Sequence, residues 1–229
     1  MTNQNNRNLS ENTLLLRGKT TILLDLDGTL VDSVRAHASS WRASLKEWGF
    51  EVEQEAVERL IGMGGDKLVA LSTGLSDQKK VESITDHRSK LFREKYLNQV
   101  YPIVGGRRLV NTLRDAGYTV FLATASSAED RDALLKRCEL DDLFETFVSP
   151  EEVGNSKPDP DLLEAIMKKL DVASSSCVLI GDSPYDAQAA GKAQVDFIAV
   201  ESGKYSHQEM PQARWSFSSV DELATALEG

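Results

Sequence analysis

From Tyr101-Pro102 to its end the chain alternates short apolar runs with amphipathic stretches. The spacing predicts helix 105–116 closed by Gly117, strand 118–123 (Y-T-V-F-L-A), helix 127–138 and strand 144–148 (F-E-T-F-V). Helix 160–170, strand 177–180 (C-V-L-I), helix 184–193, strand 195–200, a weak strand 215–217 and helix 220–227 follow. Such alternation specifies a parallel sheet with helices on both faces. One further strand, 21–25, stands alone upstream. A lone strand cannot be buried, so it joins the same sheet.

Residues 33 to about 100 carry no strand signal. After Asp32-Ser33, which can cap a helix, Val34, Trp41, Leu45 and Trp48 recur at helical spacing up to Gly49. A short amphipathic segment at 53–61, the loop Gly62-Met63-Gly64-Gly65, a helix at about 66–73 ending at Gly74 and a long helix at about 77–98 complete the stretch. The expected class is α/β: a Rossmann-like parallel sheet, interrupted after its first strand by a helical insert. An insert that springs from the loop at a strand tip is a natural lid.

That tip is the chemically dense stretch. The run Ile22-Leu23-Leu24 stops at Asp25, and Asp27 and Gly28-Thr29 follow. Open α/β sheets place ligands at the carboxyl ends of their strands. Side chains two apart on a strand point the same way. Two acids that close repel unless a cation sits beside them or one keeps its proton. The pair asks for a metal, a proton-transfer role or both; the plainer alternative is a strand ending in acidic turn residues.

The other strand tips decide between these. Thr124 ends strand 118–123, with Ala125 next, and its hydroxyl and the free N–H groups of the following helix start suit a phosphate oxygen. Ser126 and Glu129 stand at capping-box spacing, so Ser126 reads as a plain N-cap. In G-N-S-K-P-D-P, Asp159 reads as N-cap and Pro160 as first helical residue, leaving Lys157 free to face the two carboxylates. In G-D-S-P-Y-D, Ser183, Pro184 and Asp186 form a capping pattern, which leaves Asp182 unexplained. A carboxylate at the end of a buried strand is expensive unless it binds something. With Asp25 and Asp27 it forms a cluster of hard oxygen ligands that suits Mg²⁺.

The whole-chain balance narrows the partners. A formal net charge of −10 argues against nucleic acid and against anionic membranes, but not against a small anionic substrate. Cys138 and Cys177 lie in apolar contexts without CxxC spacing and read as reduced packing residues. No apolar run reaches membrane-spanning length. The polar, Asn-rich beginning lacks the core of a secretory signal, so the expectation is a cytoplasmic protein with residues 1–18 disordered. A monomer is the default expectation.

With these residues in view, the chain resembles the haloacid dehalogenase-like superfamily of phosphotransferases. The resemblance spans about residues 20 to 228 and rests on four motifs in order: D-L-D-G-T from Asp25 to Thr29, Thr124, Lys157 in K-P-D-P, and Asp182 with Asp186 in G-D-x-x-x-D. The helical insert resembles the family's α-helical cap, as in its phosphoglycolate phosphatase and β-phosphoglucomutase branch. The resemblance implies a core of residues 19–32 and 102–229 and a cap of 33–101. It implies that Asp25 is the nucleophile, forming an aspartyl-phosphate, and that Asp27 is the general acid and base. It implies Mg²⁺ held by Asp25, the backbone carbonyl of Asp27, and Asp182, with Asp186 acting through a water or by orienting its neighbours. Thr124 and Lys157 would hold the transferring phosphoryl group, Ala125 lying beside them. Dehalogenase members lack an acid at the position of Asp27, so dehalogenation is not expected.

Three activities remain open: a phosphatase for a small phosphate monoester, a phosphosugar mutase, and a catalytically silent binding protein. His37, twelve residues after Asp25, is shared with mutase members. Against the mutase, the cap loop reads G-M-G-G-D-K where mutases carry a basic S-R-E-D-S-like stretch, and only Lys67 offers a substitute. Mutases also tend to carry an acidic pair where this chain has Gly181-Asp182. A silent member would have lost the dyad or the lysine. Arg88 falls on the apolar face of the long helix with Val81, Ile84 and Leu91, either paired within the cap or exposed to the cavity as a substrate-binding residue. His37 reads as a second substrate-binding candidate or as packing, and Met63 to Lys67 as a wall of the site.

Overall fold

The computed structural model describes residues 15–148 and 153–228. Five parallel strands form the sheet in the order β4-β1-β5-β6-β7. They are β1 (Thr21–Leu24), β4 (Thr119–Leu122), β5 (Cys177–Gly181), β6 (Asp196–Val200) and β7 (Trp215–Phe217). The inner strand β1 is buried on both faces, which is why it reads as an unbroken apolar run. Its Leu24 lies level with Leu122 of β4 and Ile180 of β5, so the three strand tips end on one rim.

Alternation of side chains sorts the core into two layers. Ile22, Leu24, Val178, Ile180 and Ile198 face helices α5 (Gly106–Asp115), α6 (Ala128–Arg137) and α9 (Val220–Glu228) through Leu109, Leu113, Leu134 and Leu223. Leu23, Phe121, Leu179 and Phe197 face α7 (Asp161–Leu170) and α8 (Pro184–Lys192) through Leu163, Ile166 and Ala190. Cys138 and Cys177 are free and buried, one in each layer.

Between β1 and β4 the chain leaves the sheet. Helices α1 (Val34–Glu47), α2 (Gln54–Glu58), α3 (Gly65–Thr73) and α4 (Gln78–Leu91) pack round Trp41, Leu45, Leu68 and Ile84, a cluster separate from the sheet's. The outgoing segment β2 (Val31–Asp32) and the returning segment β3 (Tyr101–Pro102) pair antiparallel, so the helical cap is attached at a two-stranded seam. Among the described residues, no helix is long and apolar enough to cross a membrane.

Several expectations need correction. No strand forms at 144–148; the segment faces Thr119–Phe121 of the edge strand β4 across a cleft. Its aromatic residues, Phe144 and Phe147, are three apart rather than alternate, so no single strand face would bury both. The long helix is α-helical only to Leu91, continuing as a π-helical turn over Phe92–Tyr96 and a 3₁₀ turn over Leu97–Gln99. Trp48 leaves the α1 stripe and is 41% exposed, because the helix ends there. Residues 1–14 lie outside the described residues, but Leu15 and Leu16, expected within the disordered segment, pack into the core.

Candidate active site

Four ionisable side chains meet at the strand rim. Asp25 follows β1, and its backbone N–H still donates to Ile180 of β5, so the carboxylate stands at the tip of a fully buried strand. Asp182 follows Gly181 at the end of β5. Asp186 lies in the first turn of α8, held by the expected capping box with Ser183. Lys157 enters from the loop before α7, fully buried, and donates to Asp25 Oδ1 at 2.5 Å and to Asp186 Oδ1 at 2.7 Å. The sequence reading set Lys157 opposite Asp25 and Asp27; it pairs with Asp25 and, in place of Asp27, with Asp186, whose capping pattern had seemed sufficient for it.

Charge in this cluster does not balance. Carboxylate oxygens of Asp25, Asp182 and Asp186 lie within 4.8 Å of one another, with one ammonium among them. Burial pushes Asp25 up from 3.8 to about 8; Lys157 opposes this, while Asp186 and Asp27 add to it. Burial also raises Asp182 well above the usual carboxylate range, with Asp25 and Asp186 reinforcing it. Thr29 donates to Asp182 Oδ1 at 3.0 Å, but Asp25 Oδ2 is buried with no hydrogen-bond partner among the described residues. An orphaned carboxylate oxygen in a cluster of excess negative charge fits a divalent cation, whose preferred donors are hard oxygens.

The turn after the dyad is shaped to admit Asp182. Gly28 has φ +88°, and a Cβ on it would lie 2.3 Å from Asp182 Oδ2. Only glycine supplies both that dihedral and that approach.

Asp27 has the opposite surroundings. Ser33 donates to its Oδ1 at 2.5 Å, and His37 Nε2 lies 2.8 Å from the same oxygen. Ser126 donates to Oδ2 at 2.8 Å. Burial alone would raise this carboxyl, but the field and hydrogen bond of His37, with those of Ser33 and Ser126, hold it well below the usual range. Ser33 and Ser126 were both expected to cap helices, and neither does. The α1 N-cap position makes no side-chain cap bond, and α6 is capped by Ser127, one residue later, which accepts from the Asp130 N–H. Both hydroxyls go to Asp27 instead, because a buried carboxylate is the stronger acceptor.

The remaining candidates are placed as follows. His37 is buried, its ring stacked 4.1 Å from that of Phe92. Arg88 donates to Asp130 at 2.8 Å and lies 3.3 Å from His37 Nδ1, with its guanidinium 4.5 Å over Trp41. Its Nε is buried without a partner. Thr124 accepts from the Ser126 N–H and, with Ala125 and Lys157, lines a cavity of about 510 Å³. Asp159, expected as an N-cap, pairs instead with Lys67 and Lys192, and the α7 cap position falls to Pro160. Lys67 is thereby committed to the rim outside the dyad.

Comparison with known proteins agrees with this geometry. The haloacid dehalogenase-like hydrolase family model matches residues 22–200. The chain is 30% identical over 224 residues to the phosphoglycolate phosphatase of Colwellia psychrerythraea, an alignment covering 93% of this chain and 98% of that one. The crystal structure of a hydrolase from Pseudomonas syringae matches with a TM-score of 0.83 at 28% identity, over 92% of this chain and 98% of that one. The β-phosphoglucomutase of Clostridium difficile shares the fold, with a TM-score of 0.76 at 17% identity over 90% of this chain and 93% of that one.

Proposed function

The chain belongs to the haloacid dehalogenase-like hydrolases and is a phosphatase, and on that premise we propose that it hydrolyses a small organic phosphate monoester, of phosphosugar or phosphoglycolate type, through an aspartyl-phosphate on Asp25. The observation that carries the reading is the asymmetry of Asp25. Lys157 holds Oδ1, while Oδ2 is buried and unpartnered. Asp25 and Asp27 line a small cavity beneath the cap.

In this mechanism Asp25 attacks phosphorus, the ester bond breaks, and Asp27 protonates the departing oxygen. A substrate dianion beside Asp27 raises its pKa toward the acid form that this step needs. Once the alcohol has left, Asp27, favoured as carboxylate by its three donors, takes the proton of the water that hydrolyses the aspartyl-phosphate. Lys157 and Thr124, with the backbone at Ala125, offset the charge of the phosphoryl oxygens. Mg²⁺ would be held by Asp25, Asp182, Asp186 and the backbone carbonyl of Asp27, supplying positive charge to the phosphoryl group. His37 orients Asp27, and Arg88 lines the substrate cavity from the cap side. The same reading divides the chain into a core of 19–32 and 102–229 and a cap of 33–101; the pairing of β2 with β3 at that seam supports the boundary.

Of the described residues that line the cavity over the dyad, those from the cap loop are Gly62, Met63 and Gly65, none of them cationic, and the cap cation there, Arg88, is paired with Asp130. This favours hydrolysis over a mutase, which must hold a second phosphate there. The test is phosphate release with Mg²⁺ from a panel of sugar phosphates, phosphoglycolate and nucleotides, beside Asp25→Asn. Release abolished in the variant is the expected result; interconversion of phosphoglucose isomers without release would replace the phosphatase by a mutase.

A further inference from the structure

We propose, resting on the phosphatase reading above, that the leaving group is a neutral, sugar-sized polyol rather than glycolate, and that it sits between the cap and helix α6. Two cavities adjoin beneath the cap. The one over Asp25 and Asp27 holds only about 40 Å³. The second holds about 510 Å³ and is lined by Thr124 and Lys157 on one side and by Ser89, Ser127, Asn155 and Arg131 beyond. Gly65, Arg88, Ala125 and Ser126 line both, so the space at the dyad continues into the larger one.

The larger volume belongs to a seated cap. Ser156, next to Lys157, donates to Asp66 of the cap at 2.7 Å, and Lys67 reaches Asp159 at 2.6 Å. Gly64 approaches so closely that a Cβ on it would lie 2.4 Å from the Ser156 Cβ. The space therefore remains with cap and core in contact. Cavities of roughly 300–1,000 Å³ accommodate molecules well beyond the size of glycolate.

The chemistry of the wall points the same way. Each cation in it already has a carboxylate partner: Lys157 has Asp25 and Asp186, Arg88 has Asp130, and Arg131 has Asp132 while stacking 3.7 Å over Phe147. The carboxylate of glycolate would meet no uncommitted cation among the described lining residues. Neutral hydrogen-bonding groups do remain, among them the hydroxyl of Ser127 and the amides of Gln78 and Asn155. Hydroxyl groups of a sugar match these as both donors and acceptors.

The experiment compares kcat/KM with saturating Mg²⁺ for ribose 5-phosphate, glucose 6-phosphate, 2-phosphoglycolate and acetyl phosphate. At least one sugar phosphate should exceed phosphoglycolate by about tenfold, a discrimination within the reach of pocket fit. In Ala128→Leu, which adds bulk to the cavity wall, the sugar phosphate to acetyl phosphate ratio should fall by about the same factor. Phosphoglycolate equal to or better than both sugar phosphates overturns the inference, as does an unchanged ratio in the variant. Failure of every compound, the acyl phosphate included, overturns the phosphatase reading itself and the inference with it.

Discussion

Asp25 and Asp27 are separated by one residue, yet their surroundings are opposite. Asp25 faces two other carboxylates and one ammonium, keeps an orphan oxygen, and is pushed up to about 8. Asp27 takes hydrogen bonds from three side chains and is held below the usual range. One carboxylate is short of positive charge and the other is saturated with donors. The chain itself completes the surroundings of Asp27, with His37 from the cap helix and Ser126 from the core rim. Among the described residues nothing does the same for Oδ2 of Asp25. The roles proposed for them, a nucleophile beside a cation and an acid–base group tuned by its neighbours, need these two different designs.

The largest test of the difference is Asp25→Asn. Activity should fall by ~10⁴-fold or more, the scale on which single catalytic groups act. The neutral amide also relieves repulsion, so the metal-free variant should melt no lower than the parent. A lower melting temperature would break the comparison, since it would mean that the carboxylate stabilises its cluster. Lys157→Met removes the one ammonium in the same cluster and should act in the other direction. Stability without metal should drop by about 3–5 kcal/mol, as when one partner of a buried pair is removed. Denaturant titrations with and without Mg²⁺ measure both.

The pH dependence of the metal-free protein follows from the same imbalance. Between the ordinary 3.8 and about 8, the unfolded chain has released a proton that folded Asp25 retains. The folded state then binds more protons than the unfolded one, so stability falls as pH rises through that window. Asp182, also raised, adds to the same slope. Mg²⁺ should flatten it, and at 100-fold over its dissociation constant a ligand adds about 2.7 kcal/mol. Urea midpoints at pH 5 and pH 8, with Mg²⁺ or with chelator, read this directly; a metal-free midpoint that rises with pH would contradict it.

The two halves of the site were unequally legible in the sequence. Asp25, Asp182 and Thr124 announce themselves because each follows an apolar run, and strand tips in a parallel sheet share one rim. Lys157 stands out because capping does not account for it. Asp27's donors announce nothing. Ser126 lies 99 residues from it and next to the true cap, Ser127, so local rules assign it to the helix start. Ser33 fails in the same way. The contacts that seat the cap, Lys67 with Asp159 and Arg88 with Asp130, join segments 92 and 42 residues apart, and no periodicity reports such pairs. The strand expected at 144–148 failed for a different reason: β-forming residues there lack a sheet edge that their side-chain spacing can use.

Ser126→Ala is the smallest perturbation and the sharpest on the Asp27 side. It leaves Oδ2 of a buried carboxylate without the donor that it has now. Asp27 should then titrate higher, because a bond to its charged form is lost. A depressed carboxyl stabilises the fold above its unfolded pKa, and that contribution is lost as pH falls through the folded one. The variant should therefore lose about 1–3 kcal/mol at neutral pH, with the deficit shrinking in acid. In the rate profile, the acid limb set by Asp27 as base should move upward while kcat at its plateau falls only several-fold. Ser126→Thr, which keeps the hydroxyl, should restore the limb. If both variants leave the limb where it was, the low pKa of Asp27 is set by His37 and Ser33, and the contrast with Asp25 belongs to the cap rather than to the core rim.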